Sequence, residues 1–123
     1  MHSAKYPRWF LFYGVLTILI GLIHNTATLA MYHRVATISP PALAVRYGYF
    51  FAAMGTAVIL CGILLLLVVR GLRQGESLAR RVAWCSLAYL LNSQVGAAAC
   101  GLYNPYSIAL ILGAVVSCIV LVL

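Results

Sequence analysis

Four long apolar stretches, separated by short polar segments, divide the chain. They cover residues 9–31, 47–69, 82–101 and 106–123. A helix rises about 1.5 Å per residue, so about 20 apolar residues cross the roughly 30 Å hydrocarbon core of a bilayer. Each stretch reaches or approaches that length. The pattern therefore predicts an all-α integral membrane protein whose four transmembrane helices form one domain over residues 1–123.

Polar and helix-breaking residues mark the expected connections between these helices. Residues 32–46 are predicted to join the first two helices, and Ser39, followed by two prolines, to cap a helix that runs into the second stretch. Gly71 and Gly75 are residues expected where the second helix ends. Asn104, followed by a proline, is predicted to cap the fourth helix.

Charged residues are few, and nearly all of them are basic. The 123 residues include eight Lys or Arg against the single acid Glu76, 7% are charged and 65% are hydrophobic. A soluble domain averages about 25% charged residues. No basic face is left once the apolar stretches are placed, so no nucleic-acid partner is expected.

The distribution of the basic residues predicts the orientation in the membrane. Two of them precede the first stretch, four lie between the second and third, and two lie on the opposite side: Lys5 and Arg8; Arg70, Arg73, Arg80 and Arg81; Arg34 and Arg46. Basic residues favour the cytoplasmic side. Both termini are therefore predicted to be cytoplasmic, and the chain is predicted to lie in a bacterial inner (plasma) membrane. The four arginines of the middle group are expected to contact lipid headgroups.

Small and polar residues recur along each predicted helix at spacings of three and four. These stripes are Gly14, Thr17, Gly21, His24 and Thr28; Gly48, Ala52, Gly55, Ile59 and Gly62; Ser86, Tyr89, Ser93, Gly96 and Cys100; and Ser107, Leu110, Ala114 and Ser117. Such a repeat keeps one face of a helix against a neighbour that crosses at about 20°, and small residues allow close packing in lipid. Other positions, such as Leu65, are expected to face lipid. The stripes predict an up-down four-helix bundle.

Polar side chains inside the predicted spans are the candidate functional residues. His24 and Asn25 lie in the first span, and Asn92 and Gln94 in the third, at a similar depth in the outer half. We expect them, with Tyr103 at the outer surface, to line a pocket for a lipid-like or quinone-like ligand. The alternative is that they join helices by hydrogen bonds without any ligand.

The sequence contains no pattern typical of catalysis or of metal binding. No His–carboxylate pair, acid dyad or nucleophile–base spacing is found, so no catalytic residue is assigned and we expect a non-enzymatic protein. The four cysteines show no paired spacing, and no Cys/His pair has ligand spacing, so no metal site is expected. His24 is the only histidine inside a predicted span, so a haem would need a second ligand from another subunit. No cofactor is expected.

A Gly-x-x-His turn in the first helix, Gly21-Leu22-Ile23-His24, is combined with a basic connection over residues 70–81. In these features the chain resembles functionally uncharacterised bacterial families of small four-helix membrane proteins, a resemblance that implies the fold and no activity. Its length and helix count also resemble small multidrug-resistance exporters, but their carboxylate in the first helix is missing. Small fluoride channels share the length as well, but their glycine-rich first helix with a basic residue and their phenylalanine- and threonine-rich third helix are absent.

Three functions are compatible with this sequence. The first is an accessory subunit of a larger membrane complex, because its expected contacts are its lipid-facing surfaces and its basic connection. The second is a lipid- or quinone-binding module with a polar pocket in the outer leaflet. The third is a small dimeric transporter or channel. The expected partners are membrane lipids and either other membrane subunits or further copies of the chain.

Overall fold

The computed structural model describes residues 6–99 and 104–123, which form four α-helices. They are α1 (Tyr6–Ile38), α2 (Pro41–Arg73), α3 (Ser77–Ala99) and α4 (Pro105–Val122). Helix α1 packs against α2 and α4, and α3 packs against the same two helices. Consecutive helices are antiparallel, so the described residues form an up-down bundle. The all-α prediction is confirmed.

Three of the four helices are long and apolar enough to cross a membrane. They are α1 from Arg8 onward, α2 and α4, as found among the described residues. Helix α3 has sufficient length, but Asn92, Ser93 and Gln94 lie in succession within it and lower its mean hydropathy. Three helices are thus long and apolar enough to cross a membrane, and the span of α3 stays a prediction.

Helix α1 is longer than the sequence pattern predicts, whereas α2 begins at the prolines, as predicted. Residues 32–38 belong to α1 rather than to the connection, because they contain no glycine or proline and continue the helix as far as the Ser39-Pro40 break. Ser39 does not cap α2, since the capping position is Pro40 and no side chain bonds there. Each helix has 33 residues, or about 50 Å. The α1–α2 hairpin therefore extends beyond the ends of α3 and α4.

Two pairs of glycines hold α1 and α2 at close range. A Cβ added to Gly14 would lie 3.1 Å from the Gly62 carbonyl oxygen, and one added to Gly62 would lie 2.8 Å from that of Gly14. Seven residues further along α1, a Cβ on Gly21 would lie 2.9 Å from the carbonyl oxygen of Gly55. The stripes predicted on α1 and α2 therefore do meet, backbone against backbone.

Aromatic residues at the start of α1 close the bundle against α4. The Tyr13 hydroxyl donates to the Leu110 carbonyl at 2.7 Å, and the Trp9 indole donates to the Ser117 hydroxyl at 2.9 Å. The Tyr13 ring lies against Gly113, where an added Cβ would overlap the ring. These contacts place the start of α1 beside the end of α4.

The inward face of α3 differs from the predicted stripe. Tyr89 and Gly96 are exposed, and a Cβ on Gly96 would meet nothing within 4 Å. Leu87 and Leu90 point into the core instead, because filling the apolar interior determines the rotation of this helix more than small residues do. Leu65 of α2, expected to face lipid, is fully buried in the same core.

Candidate functional site

A cavity of about 210 Å³ lies between the four helices, near the point where α4 begins. Most of its wall is apolar, and its polar groups come from α1, α3 and α4. We call it the inter-helix cavity. It is lined by Ile20, Ile23, His24, Ala27, Phe51, Met54, Val58, Gln94, Asn104, Tyr106, Ser107 and Leu110.

His24 joins α1 to α2 at the edge of the inter-helix cavity. Its Nε2 lies 3.0 Å from the backbone carbonyl oxygen of Phe51, and its ring stacks on the Phe51 ring at 3.8 Å between centroids. A carbonyl oxygen only accepts, so Nε2 carries the hydrogen and the neutral ring keeps Nδ1 as an acceptor. His24 is therefore both a helix-joining residue and a part of the cavity wall.

Gln94 is the most deeply buried amide at the inter-helix cavity. Its side chain is 6% exposed, and its Nε2 donates to the Ser93 hydroxyl of the same helix at 3.4 Å. That distance is long for a hydrogen bond, so the contact satisfies the amide poorly. Gln94 thus presents hydrogen-bonding capacity at the mostly apolar wall of the inter-helix cavity.

Asn25 does not line the inter-helix cavity, contrary to the sequence-based expectation. Its Nδ2 donates to the Thr56 hydroxyl at 3.2 Å, and its Oδ1 is packed against Gly55. Oδ1 is buried without a hydrogen-bond partner among the described residues, where a weak contact from the Gly55 Cα–H is available. Adjacent residues of a helix point about 100° apart. The Asn25 side chain therefore lies against Gly55 between α1 and α2, whereas the His24 ring also reaches the cavity wall.

Asn92 also lies away from the inter-helix cavity. Its side chain is exposed, on the opposite side of α3 from buried Gln94. Residues two apart on a helix point about 200° away from each other. Asn92 and Gln94 therefore do not meet at one site, although they lie at a similar depth. Tyr103, the fifth residue of the predicted pocket, lies outside the described residues.

Several residues at the inter-helix cavity were not predicted from the sequence. The start of α4 contributes Asn104 and Ser107, and the predicted Asn104 cap is confirmed, because its Oδ1 accepts from the Ser107 backbone N–H at 2.8 Å. Phe51 was missed too. The antiparallel register that pairs Gly21 with Gly55 places it opposite His24, so pairing the two glycine stripes is the signal that locates it.

The chemistry of the inter-helix cavity suits a neutral, amphipathic group. Its wall offers amides, a hydroxyl, a phenol and an imidazole, and the part of the chain that the structure describes places no carboxylate or lysine in it. Such groups hydrogen-bond carbonyls and hydroxyls rather than bind ions. Among the described residues, no group of three His, Cys, Asp or Glu is placed to hold a metal ion.

The core closes the bundle on the far side of the inter-helix cavity. Two helical turns from its wall, Tyr13, Leu65 and Leu87 are fully buried and belong to one apolar cluster. Large side chains thus fill the space between the helices there. The inter-helix cavity ends within the bundle in this conformation.

The four arginines expected to contact lipid headgroups lie at the other end of the bundle. Arg70 and Arg73 end α2, Arg80 and Arg81 follow the start of α3, and all four are exposed. The turn between these helices contains Gly75 at a φ of 73°, a conformation that glycine adopts without strain. The arginines therefore form one basic surface, and their contact with lipid stays a prediction.

Comparison of the chain with models of protein families, with curated proteins and with solved structures finds no match.

Proposed function

We propose that this chain is an integral membrane protein that binds the polar end of a lipid-like or quinone-like molecule in the inter-helix cavity. The observation that carries the proposal is Gln94, a buried amide with one long hydrogen bond beside a cavity. A buried polar group without a good partner is unfavourable by about 1–3 kcal/mol. A ligand carbonyl or hydroxyl at this position would remove that penalty.

The size of the inter-helix cavity limits what part of a ligand enters it. At about 210 Å³ it is smaller than the roughly 300–1,000 Å³ of pockets that enclose drug-sized molecules. A single ring or a small headgroup fits, and an attached hydrocarbon tail would remain in the surrounding lipid. With the predicted orientation, the ligand would lie in the outer leaflet.

The test compares two amide variants of the same helix. Gln94→Leu removes the amide at the inter-helix cavity, whereas Asn92→Leu removes the exposed amide on the other side of α3. The proteins are purified in mild detergent, and their extracts are analysed by mass spectrometry for co-purifying lipids and quinones. Binding of a decyl-substituted benzoquinone and of a short-chain phospholipid is then measured by calorimetry.

The proposal predicts that wild type and Asn92→Leu bind one of these probes or retain an endogenous molecule, and that Gln94→Leu loses it. The proposal is wrong if wild type neither retains nor binds such a molecule. It is also wrong if both variants bind as wild type does. In those cases His24 and Gln94 serve only to join helices.

An accessory subunit of a membrane complex is the second candidate, and the exposed α1–α2 hairpin favours it. Ile38, Tyr49 and Phe50 are 84%, 71% and 69% exposed on a segment that extends past α3 and α4. Large exposed aromatic residues are typical of contact surfaces. Native mass spectrometry separates the two candidates. An accessory subunit should be found in a stable complex with other proteins, and the double substitution Tyr49→Ala with Phe50→Ala should disrupt that complex. The third function, a transporter or channel, has no comparable support, because large side chains fill the core between the helices.

A further inference from the structure

His24 leaves one hydrogen-bonding atom free at the wall of the inter-helix cavity. Its Nε2 donates to the Phe51 carbonyl oxygen, its ring stacks on the Phe51 ring, and its Cδ2 lies toward Gly55. Nδ1, on the other side of the ring from Cδ2, points away from these contacts, and no hydrogen bond reaches it from the residues that the structure describes. Because the neutral ring is favoured in an apolar wall, Nδ1 is a hydrogen-bond acceptor without a partner.

Gln94 presents a second free acceptor at the same cavity. The Ser93 hydroxyl uses its one hydrogen to donate to the Leu90 carbonyl oxygen at 3.0 Å, so its oxygen can only accept from Gln94. The Gln94 amide is therefore oriented with Nε2 toward Ser93 and with Oε1 away from it. Within the described part of the chain, Oε1 accepts no hydrogen bond. The side chains of both acceptors line the inter-helix cavity.

The inter-helix cavity has an open end and a closed end. Ile23 of α1 and Tyr106 of α4 line it and are exposed, whereas Ile20 and Leu110, about one turn deeper on the same two helices, are buried. The cavity therefore opens between α1 and α4 and ends at Ile20 and Leu110. A hydrocarbon tail attached to a bound headgroup can leave through this opening, beside apolar Ile23, into the surrounding lipid.

We propose that the ligand of the inter-helix cavity carries a hydroxyl group that donates a hydrogen bond to His24 Nδ1, as the reduced quinol form of a quinone or a hydroxyl-bearing lipid would. The inference rests on the proposed function, because it specifies the ligand of the same cavity. A quinone carbonyl or an ester oxygen only accepts, so it leaves Nδ1 unsatisfied. A hydroxyl satisfies that acceptor. The site should therefore discriminate between two ligands that differ only in their hydroxyl hydrogens.

The test uses two probes with the same skeleton, the decyl-substituted benzoquinone and its reduced quinol, in detergent without oxygen. The dimethyl ether of the quinol is the matched control, because its oxygens accept and cannot donate. Calorimetry of wild type should show that the quinol binds about tenfold more tightly than the quinone or the ether, the value of about one hydrogen bond. Dioctanoylglycerol is compared with its acetate ester in the same way, and a preference confined to this pair identifies a lipid as the source of the hydroxyl.

Substitutions of His24 test whether its ring provides the acceptor. His24→Leu should lower the ratio of quinol to quinone affinity to about one, because no acceptor remains at that position. His24→Gln keeps an acceptor oxygen and should retain part of the preference. Asn92→Leu, on the exposed side of α3, should leave the ratio as it is in wild type.

The outcomes distinguish a failure of this inference from a failure of the proposed function. If the quinone, the ether or the short-chain phospholipid binds wild type as tightly as the hydroxyl-bearing probes do, the cavity binds a ligand and the inference is wrong. It is also wrong if His24→Leu keeps the full preference for the hydroxyl. If wild type binds none of the probes and retains no molecule, the proposed function fails together with the inference. The comparison of probes on wild type decides the matter even where His24→Leu does not fold.

Discussion

At the scale of single residues, Gly55 has the least free space among the contacts between α1 and α2. The Asn25 amide oxygen occupies the place where a side chain would begin, and His24 Cδ2 would lie 2.9 Å from a Cβ there. Asn25 and His24 are held in turn by Thr56 and Phe51. Any side chain at position 55 therefore displaces both polar residues.

We expect Gly55→Ala to lower the stability of the purified protein by about 1–3 kcal/mol, because the added methyl group forces a shift in packed surroundings. Thermal unfolding in detergent measures the change. Gly48→Ala in the same helix is the matched control, since its Cβ would lie 3.4 Å from Tyr32 in ordinary contact. Equal effects of the two substitutions would show that α1 and α2 do not pack through Gly55.

His24 and Gln94 should differ in their effect on stability, although both line the inter-helix cavity. His24→Leu loses the bond to Phe51 and is expected to destabilise by about 0.5–2 kcal/mol. Gln94→Leu removes a poorly bonded amide from the interior, so the free energy of unfolding should stay the same or rise. Thermal unfolding of ligand-free protein tests both variants. A large loss of stability for Gln94→Leu would mean that Gln94 joins helices.

At the scale of elements, the α1–α4 contact is narrow and depends on two aromatic side chains. Tyr13 is fully buried and bonds to the α4 backbone, while its ring stacks against Trp9 at 6.3 Å between centroids. Trp9 bonds to Ser117, about two turns further along α4. These side chains close the ring of four helices, which the loops alone would leave open between α1 and α4.

Tyr13→Phe should therefore destabilise the bundle by about 1 kcal/mol, because it leaves the Leu110 carbonyl without its second partner and keeps the ring. Tyr89→Phe, on the exposed side of α3, is the control and should have little effect on unfolding temperature. If Tyr13→Phe is as stable as wild type, the hydrogen bond does not hold α1 to α4.

At the scale of the whole molecule, the two ends of the bundle differ in charge and in shape. One end carries Arg8 and the basic surface formed by the arginines at 70, 73, 80 and 81. The other end carries the α1–α2 hairpin, with Arg34 and Arg46 on its two helices. The predicted orientation is based on this same distribution of basic residues, and it would place the hairpin on the side of the membrane opposite the cytoplasm.

Labelling with a membrane-impermeant thiol reagent tests that orientation in intact cells. In a background without cysteines, Ile38→Cys should react from outside, because Ile38 is 84% exposed at the tip of the hairpin. Ser77→Cys should react only after the membrane is permeabilised. The reverse pattern of labelling would place both termini outside.

The sequence by itself determined the four helices, the α1–α2 glycine contact and the Asn104 cap, because these depend on local spacing and on single capping residues. Local spacing does not determine the rotation of a helix that carries several competing stripes. Tertiary packing therefore decided that Leu87 and Leu90 fill the core, and that Gln94 faces the inter-helix cavity while Asn92 faces outward. It also decided which residues of α4 share the wall of the inter-helix cavity with His24. Residues of helices that are far apart in the chain come together only when the bundle closes.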